Sequence, residues 1–229
     1  MARKRRAFAF DMAKKISLGE YANNGERAAA QLLESALPNR YLLLTNFTVP
    51  DEHTPVDVDA LVLGIAGVFV IEIKDWAGKL RGTNAQKWQH NGTMKSNPFE
   101  QAVRNRRILR SYIEKHAKDA YADKRFFLGT NFYSILALVN PQADTSEVKL
   151  QLDRWARFAP TLDDLPRVIQ NDTAESKHFI TYADICGIAR VFGAPQDELD
   201  AWCANCFNPN RVGAKFCRGC GNALPYSAA

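Results

Sequence analysis

The chain has 229 residues, of which 46% are hydrophobic and 24% charged, which allows one ordinary domain with a small appended module. Its apolar runs are interrupted before they reach the roughly 20 residues that a membrane-spanning helix needs, which excludes an integral membrane protein. The formal net charge of +5 is concentrated at the two ends of the chain, an arrangement that suits a polyanionic partner such as nucleic acid. The basic N-terminal stretch lacks the apolar segment and cleavage site of a secretory signal, so we expect a cytoplasmic protein.

The first predicted elements are a basic arm, a helix and a strand. Residues 1–15 have no periodic pattern and are expected to form a flexible arm. From Ser17, apolar residues recur at three- and four-residue steps, which predicts a helix that Ser17 and Glu20 start as a capping box and that Asn24-Gly25 could divide. A strand at residues 41–49 follows.

A hairpin is predicted next, because strand-like runs at residues 56–63 and 68–74 are joined by Gly64-Ile65-Ala66-Gly67. The second run is apolar on both faces until Glu72, so it should be central in its sheet. Short exposed strands follow, of which the last two are joined by the turn signal Asn91-Gly92. These strands are expected at residues 79–81, 86–90 and 93–95.

Helices and one further buried strand complete the main domain. Asn97-Pro98 is a strong helix start, with asparagine as the N-cap and proline in the first turn, and this helix should run to about residue 118. A buried strand is predicted at residues 133–140, and further helices around residues 162–169 and 182–192. This order of elements predicts a mixed α/β sandwich over residues 16–195.

Four cysteines at the C-terminal end predict a metal-binding module over residues 201–224. They form two Cys-x2-Cys knuckles separated by ten residues, Cys203 with Cys206 and Cys217 with Cys220. The segment is too short and polar to fold around its own core, and four thiolates around Zn²⁺ would supply the missing folding energy. The alternative is two disulfides, but nothing else in the sequence indicates an oxidising compartment. We therefore predict a small zinc ribbon with a structural or adaptor role, because four thiolates leave no open position for water.

Two acidic residues and a lysine form a candidate catalytic site. Glu72 and Lys74 are two residues apart on one strand, so their side chains leave the same face, and burying both is expensive unless they are paired or bound to a metal. The hairpin can set Asp59 beside Glu72, and two carboxylates on adjacent strands suit Mg²⁺. Spacing alone does not choose between Asp57 and Asp59. A surface hairpin with simple ion pairs is the alternative interpretation.

Residues 19–140 resemble the nuclease-related domain, or NERD, family of the PD-(D/E)xK nuclease superfamily. Four segments carry the resemblance, in order along the chain: Gly25-Glu26 and residues 58–64, 67–78 and 97–101. The resemblance implies a restriction-endonuclease-like α/β fold, in which a mixed sheet is flanked by helices and the acidic motif lies at one sheet edge. A zinc module beside such a domain is similar to known architectures of the family.

The same resemblance implies roles for individual residues. It favours Asp59 over Asp57, and it assigns the acidic motif to Asp59, Glu72 and Lys74. Mg²⁺ or Mn²⁺ would be held by Asp59, Glu72 and the Ile73 carbonyl, and Lys74 would activate or position the attacking water. Two softer assignments follow, in which Glu26 supplies a helix carboxylate to the metal shell and Gln101 supports the lysine. Glu26 and Gln101 could instead be ordinary solvated residues.

The leading hypothesis is a Mg²⁺-dependent phosphodiesterase that acts on DNA, with basic side chains along the phosphate backbone. Those candidates are Arg104, Arg107 and Arg110 on the predicted second helix, and Arg211, Lys215 and Arg218 on the zinc module. One alternative is a binding module that docks onto nucleic acid, or through the zinc ribbon onto a protein, without cutting. A weaker alternative is a regulator that contacts protein only. We expect Trp76, Trp88 and His90 to pack in the sheet rather than stack on bases, and Cys186 to lie in the core.

Overall fold

The computed structural model describes residues 13–51, 54–117, 131–175 and 180–224. Within these ranges the strands are β1 (Lys14–Ser17), β2 (Leu42–Val49), β3 (Val56–Gly64), β4 (Gly67–Lys74), β5 (Gly78–Thr83), β6 (Trp88–His90), β7 (Thr93–Lys95), β8 (Phe132–Leu138), β9 (Ala143–Lys149) and β10 (Ala156–Ala159). The helices are α1 (Asn24–Ala36), α2 (Pro98–His116), α3 (Asp164–Glu175), α4 (Tyr182–Val191) and α5 (Gln196–Asp200). No helix in these ranges is long and apolar enough to cross a membrane.

The main sheet has six strands in the order β1-β2-β3-β4-β8-β10. β2, β3 and β4 are antiparallel neighbours, whereas β4 pairs with β8 in parallel. β4 is buried from Gly67 to Ile73 because apolar clusters cover both faces of the sheet. One cluster includes side chains of α2 and α4, and the other includes side chains of α1 and α3. The predicted mixed α/β fold, with residues 68–74 as a central strand, is therefore confirmed.

A second sheet has four strands in the order β7-β6-β5-β9. The turn at Asn91-Gly92 joins β6 to β7, and both of its residues have positive φ, 48° and 80°, as a tight hairpin turn requires. Trp88 is fully buried beneath this sheet, and the Trp76 ring stacks on His90 with centroids 5.4 Å apart. The prediction that these aromatic residues pack in the sheet is confirmed.

The first helix starts later than its apolar spacing predicted. Asn23 is the N-cap of α1, and its side chain accepts a hydrogen bond from the Glu26 amide at 3.0 Å. Ser17 instead ends β1, so the predicted capping box of Ser17 with Glu20 is wrong. The reason is non-local, because residues 14–17 pair in parallel with β2. β1 also includes the last two residues of the predicted flexible arm, whereas residues 1–12 lie outside the described ranges.

Side-chain caps start both α2 and α4, and the cap of α2 is as the sequence predicted. The Asn97 side chain accepts hydrogen bonds from the amides of Phe99 and Glu100 at 3.0 and 3.2 Å, which fixes the start of α2. Thr181 and Asp184 form a complete capping box at the start of α4. α2 lies against β4 and β8 and thereby brings its first two turns to the carboxyl end of β4.

The cysteine module is fastened to the main domain by a buried tryptophan. The Trp202 indole N–H donates to the carbonyls of Asn39, at 3.0 Å, and of Phe207, at 2.6 Å. Asn39 lies three residues before Leu42, the first residue of β2, and Leu42 pairs with Leu63 beside the turn from β3 to β4. The module therefore lies at the turn end of the sheet, away from the carboxyl end of β4.

Candidate functional site

The hairpin of β3 and β4 stops pairing where its acidic residues begin. The pair of the β3–β4 ladder that lies farthest from the turn is Ala60 with Ile71. Asp59 and Glu72 are the next residues of the two strands beyond this pair. There the Asp59 side chain replaces a backbone partner, because its Oδ2 accepts the Ile73 amide at 2.7 Å. This bond turns the Asp59 carboxylate toward β4, beside Glu72 and Lys74.

The β3 strand also changes face at Asp59. Val58 belongs to the cluster under α2 and α4, whereas Ala60 belongs to the cluster under α1 and α3, although strict alternation would place both on one face. The β2–β3 register likewise omits Asp59 and its neighbour Asn46, whose φ of 55° is left-handed. The two aspartates are therefore not equivalent. Asp57 is exposed and accepts a hydrogen bond from the Thr48 hydroxyl at 2.8 Å.

Glu72 is held by one residue from its own strand and one from α2. Its side chain is only 2% exposed, and its Oε1 pairs with the Lys74 ammonium. Its Oε2 accepts a hydrogen bond from the Asn105 carboxamide at 3.1 Å. Sequence reasoning missed Asn105. The sequence contains an indication of its role, because Asn105 is a polar residue among the buried apolar positions of α2, such as Ala102 and Leu109.

The electrostatics of the pair favour a bound cation or a proton. Burial, and next the negative charge of Glu72, raise the pKa of Asp59 to about 7, against the opposing Ile73 hydrogen bond and the Lys74 charge. Burial also raises the pKa of Glu72, and Lys74 opposes that shift. The site therefore holds more negative charge than its single lysine and its hydrogen bonds compensate.

Glu26 lies close enough to influence this pair but is held by its own helix terminus. The side chain is buried, and its two oxygens accept hydrogen bonds from the Ala22 amide, at 2.9 Å, and the Asn23 carboxamide, at 2.5 Å. Its charge contributes to the raised pKa of both Asp59 and Glu72. In the described ranges, however, these three carboxylates do not form a set whose ligand atoms all lie within 4.8 Å of one another.

Gly25 explains how α1 comes so near to the site. A Cβ atom at this position would lie 2.6 Å from the Asp75 Cβ and 2.7 Å from the Val139 Cγ2, distances that force a shift of the helix. The absence of a side chain thus lets the first turn of α1 contact the ends of β4 and β8, which places Glu26 at the sheet edge.

A cleft of about 890 Å³ opens between α2, the start of β3 and the end of the small sheet. Asp57 and Asn105 line it, together with Gln101, Arg104 and Arg107. Gln101 is half-buried there, and within the described residues its carboxamide has no hydrogen-bond partner. A second cleft of about 550 Å³ continues along α2, and Arg107 lines both.

Arg110 is the predicted phosphate-binding residue of α2 that lies outside both clefts. It donates a hydrogen bond to Glu114 at 2.9 Å, and its guanidinium lies over the Phe132 ring at 5.6 Å. Arg104 and Arg107 are thus the two predicted arginines of α2 that line the first cleft. Asp59, Glu72 and Lys74 do not line this cleft, and Asn105 connects it to the acidic pair through its hydrogen bond to Glu72.

The four cysteines of the module come together as predicted. Their sulfur atoms all lie within 4.8 Å of one another, with 3.7 Å between Cys203 and Cys220 and 3.5 Å between Cys206 and Cys217. All four are free thiols, so this geometry could hold a metal ion such as zinc. Cys186, the fifth cysteine, is buried in the core as predicted.

A mixed sheet between helices, with Glu72 and Lys74 at the end of its central strand and Asp59 on the adjacent strand, defines a nuclease-like α/β protein. Residues 22–139, just over half of the chain, match the family model described as nuclease-related domain, and the protein belongs to this NERD family. An uncharacterised protein of Bacillus anthracis is 30% identical over 97 residues, which cover 40% of this chain and 46% of that relative. The chain thus aligns with less than half of the relative's length. No solved structure matches.

The raised pKa of Asp59 predicts a stability gain for Asp59→Asn that depends on pH. In the unfolded chain this carboxyl titrates near 3.8, and in the folded chain near 7, so its contribution to stability falls as the pH rises from about 4 to about 7. An asparagine side chain does not ionise, and its oxygen can still accept the hydrogen bond from the Ile73 amide. In metal-free buffer we expect the variant's advantage in unfolding free energy to grow across this range, to on the order of 1 to 3 kcal/mol.

Urea denaturation at several pH values measures this advantage. Asp57→Asn is the matched control, because Asp57 is exposed and keeps an acceptor for Thr48, and its effect should stay within about 0.5 kcal/mol. An Asp59→Asn advantage of equal size at pH 5 and pH 8 would contradict the assigned cost of burying this carboxylate.

Proposed function

We propose that this protein is a Mg²⁺-dependent nuclease that hydrolyses phosphodiester bonds in DNA. The observation that carries the proposal is the pairing of a buried Glu72 with a half-buried Asp59 on adjacent strands, with the Lys74 ammonium on Glu72. Membership of the NERD family supports a nuclease-related fold, but fold alone does not establish activity. The chemistry of the site supplies the second argument.

The donor set fits a hard divalent cation. Asp59, Glu72 and the Ile73 carbonyl would hold Mg²⁺ or Mn²⁺, ions that prefer oxygen ligands. Each carboxylate oxygen has two acceptor positions, so the hydrogen bonds to the Ile73 amide and to Asn105 leave capacity for a ligand bond. The raised pKa of both acids supports the same fit, because a bound cation would compensate their charge. Such an ion, when bound, supplies Lewis-acid stabilisation of phosphate charge.

The protein's own side chains would orient the reactants around this pair. Lys74 keeps part of its side chain exposed, so its ammonium can position the attacking water and stabilise negative charge on the phosphate. Asn105 would fix the orientation of Glu72. Gln101, which lines the cleft, would contact Lys74 or a phosphate oxygen, and Glu26 would complete the metal shell from the first turn of α1.

Basic side chains on α2 support nucleic acid as the substrate. Arg104 and Arg107 line the first cleft, and Arg107 and Lys115 line its continuation along α2. Acidic residues line these clefts as well, namely Asp51, Asp57, Glu100 and Asp153, so the support comes from the positions of the basic side chains and not from a net positive charge. Phosphate contacts of this kind would hold the strand in register with the site. Arg110 would then contribute at longer range, because Glu114 already pairs with it. The cysteine module would add Arg211, Lys215 and Arg218, held in place by a structural Zn²⁺ on Cys203, Cys206, Cys217 and Cys220.

A binding module without catalysis is the second candidate. The observation that favours it is the hydrogen bonding of Glu26, whose oxygens both bind the start of α1 rather than facing the acidic pair. In this case the clefts and the cysteine module would dock onto nucleic acid or a protein partner. Cleavage and binding measured on the same sample separate the two candidates.

Lys74→Ala should abolish cleavage without loss of the fold. We expect wild-type protein with Mg²⁺ or Mn²⁺ to nick or degrade DNA, and the variant to be slower by at least about 100-fold, because it lacks the ammonium that acts on water and phosphate. Gel assays on single-stranded DNA, duplex DNA and RNA measure the rate. Lys87→Ala, at an exposed lysine outside the site, should retain full activity. Equal inactivity of wild type and Lys74→Ala on every substrate and metal would rule out the enzyme.

Asn105→Ala should weaken the response to metal. Without the Asn105 carboxamide, Glu72 loses the partner of its Oε2, and the Mg²⁺ concentration for half-maximal activity should rise about tenfold or more. Activity at saturating Mg²⁺ should fall less. Metal titrations of the cleavage rate test this, with Gln31→Ala as the control, because Gln31 is an exposed carboxamide on α1 that lines neither cleft. An unchanged metal requirement would show that Asn105 does not position Glu72.

The zinc content of cysteine variants should distinguish the metal-binding cysteines of the module from the buried cysteine of the core. We expect one Zn²⁺ per chain, which Cys217→Ser should lose or bind weakly because a thiolate ligand is missing. Cys186→Ala should retain the full zinc content, since Cys186 lies in the core. Zinc loss from both variants would contradict the four-thiolate site.

A further inference from the structure

The cysteine module carries an exposed aromatic ring. Phe216 is 65% exposed. The other large hydrophobic residues that are exposed within the described ranges are Met94, Leu152 and Val212, and none of them is aromatic. Neither the acidic pair nor the clefts use Phe216. A single exposed hydrophobic side chain is common on protein surfaces, so the argument for a function rests on the charges near Phe216 and on the ordered backbone that carries it.

The sequence around this ring is basic. Residues 203–224 contain Arg211, Lys215 and Arg218 and no acidic residue, and all three are exposed. Lys215 directly precedes Phe216, and Arg218 follows it by two residues. We call these four residues the Phe216 surface.

The backbone holds Phe216 in a defined position. Phe216 forms a bridge with Ala223, and the Leu224 amide donates to the Lys215 carbonyl at 3.0 Å. The next residue, Cys217, belongs to the four-sulfur cluster, and the Asn210 side chain accepts the Arg218 amide at 2.9 Å. The ring is therefore presented on an ordered frame rather than on a loose tail, which lowers the entropy cost of binding a partner.

We propose that the Phe216 surface binds a single-stranded segment of nucleic acid, with an unpaired base stacked on Phe216 and phosphates at Arg211, Lys215 and Arg218. An aromatic platform among cations is the combination that a single strand recognises, because every base has a stacking face and every linkage has a charge. Duplex bases are already stacked on each other and cannot reach the ring. An acidic peptide would satisfy the cations but leave the aromatic face without a specific role.

The location makes this contact independent of the acidic pair. The module is attached at Asn39, at the turn end of the sheet, and Val68 at that end is four residues along β4 from Glu72. At 3.3 Å per residue this separates the two ends by about 13 Å before the module's own depth is added. A chain that binds nucleic acid without cutting it would still have this contact, so the inference goes beyond the proposed cleavage.

Fluorescence anisotropy with labelled oligo-dT of about 20 nucleotides tests the proposal on the full zinc-loaded chain. No Mg²⁺ is added, so cleavage does not contribute to the signal. Phe216→Ala should weaken binding at least fivefold, because the stacking contact is lost, and Phe216→Leu should restore little of it. Leu152→Ala, which removes another exposed apolar side chain, should bind as the wild type does.

Salt titration separates stacking from charge. Phe216→Ala should leave the slope of log K against log salt unchanged, whereas Lys215→Ala should reduce it by about 0.7, the value for one phosphate of a single strand. Zinc content and circular dichroism show whether each variant is folded. If Phe216→Ala loses zinc, Phe216→Leu replaces it in the test, because leucine also lacks the aromatic ring.

Two results would overturn the proposal. One is equal binding of duplex and single strand with no effect of Phe216→Ala, which would leave only a general electrostatic attraction. The other is displacement of the oligonucleotide by an acidic peptide of equal charge with the same dependence on Phe216, which would make this surface a protein contact.

Discussion

The closeness of two carboxylates, one buried and one half-buried, is the constraint on which the rest of the site depends. Asp59 and Glu72 come from adjacent strands, and removing much of the water around their charges costs free energy that the fold recovers only in part. The Ile73 amide, Lys74 and Asn105 each satisfy one oxygen, while the change of face in β3 turns Asp59 inward. This uncompensated negative charge is the reason why we propose a cation at this end of the sheet.

Much of the fold could be predicted because its strongest signals are local. Short stretches of a few residues were enough to predict the strand β4 from its apolar run, the turn at Gly64–Gly67 and the start of α2 from the cap at Asn97. The elements that were missed depend on distant partners or weak patterns. β1 became a strand only by pairing with β2, and β9, with its polar sequence Ala143–Lys149, has no apolar run to mark it.

The candidate site shows the same limit. The spacing of two residues predicted that the side chains of Glu72 and Lys74 leave the same face. The structure agrees, because both residues lie on β4 and their side chains form an ion pair. It did not separate Asp57 from Asp59, because the change of face in β3 breaks the alternation on which such reasoning rests. Asn105 acts on a residue 33 positions away, and only the packing of α2 on the sheet brings the two together. The structure thus adds the positioning contacts that local patterns do not contain.

The measurement that tests this account most directly is a crystal structure of the protein soaked in Mn²⁺, with the ion located by its anomalous scattering. The account predicts one Mn²⁺ in contact with oxygens of both Asp59 and Glu72, at about 2.1 Å, and displacement of the Lys74 ammonium toward the cleft. A site without Mn²⁺ at saturating concentration, with Lys74 still paired to Glu72, would contradict it. Such a result would leave the acidic pair as a buried ion cluster and the protein as a binding module.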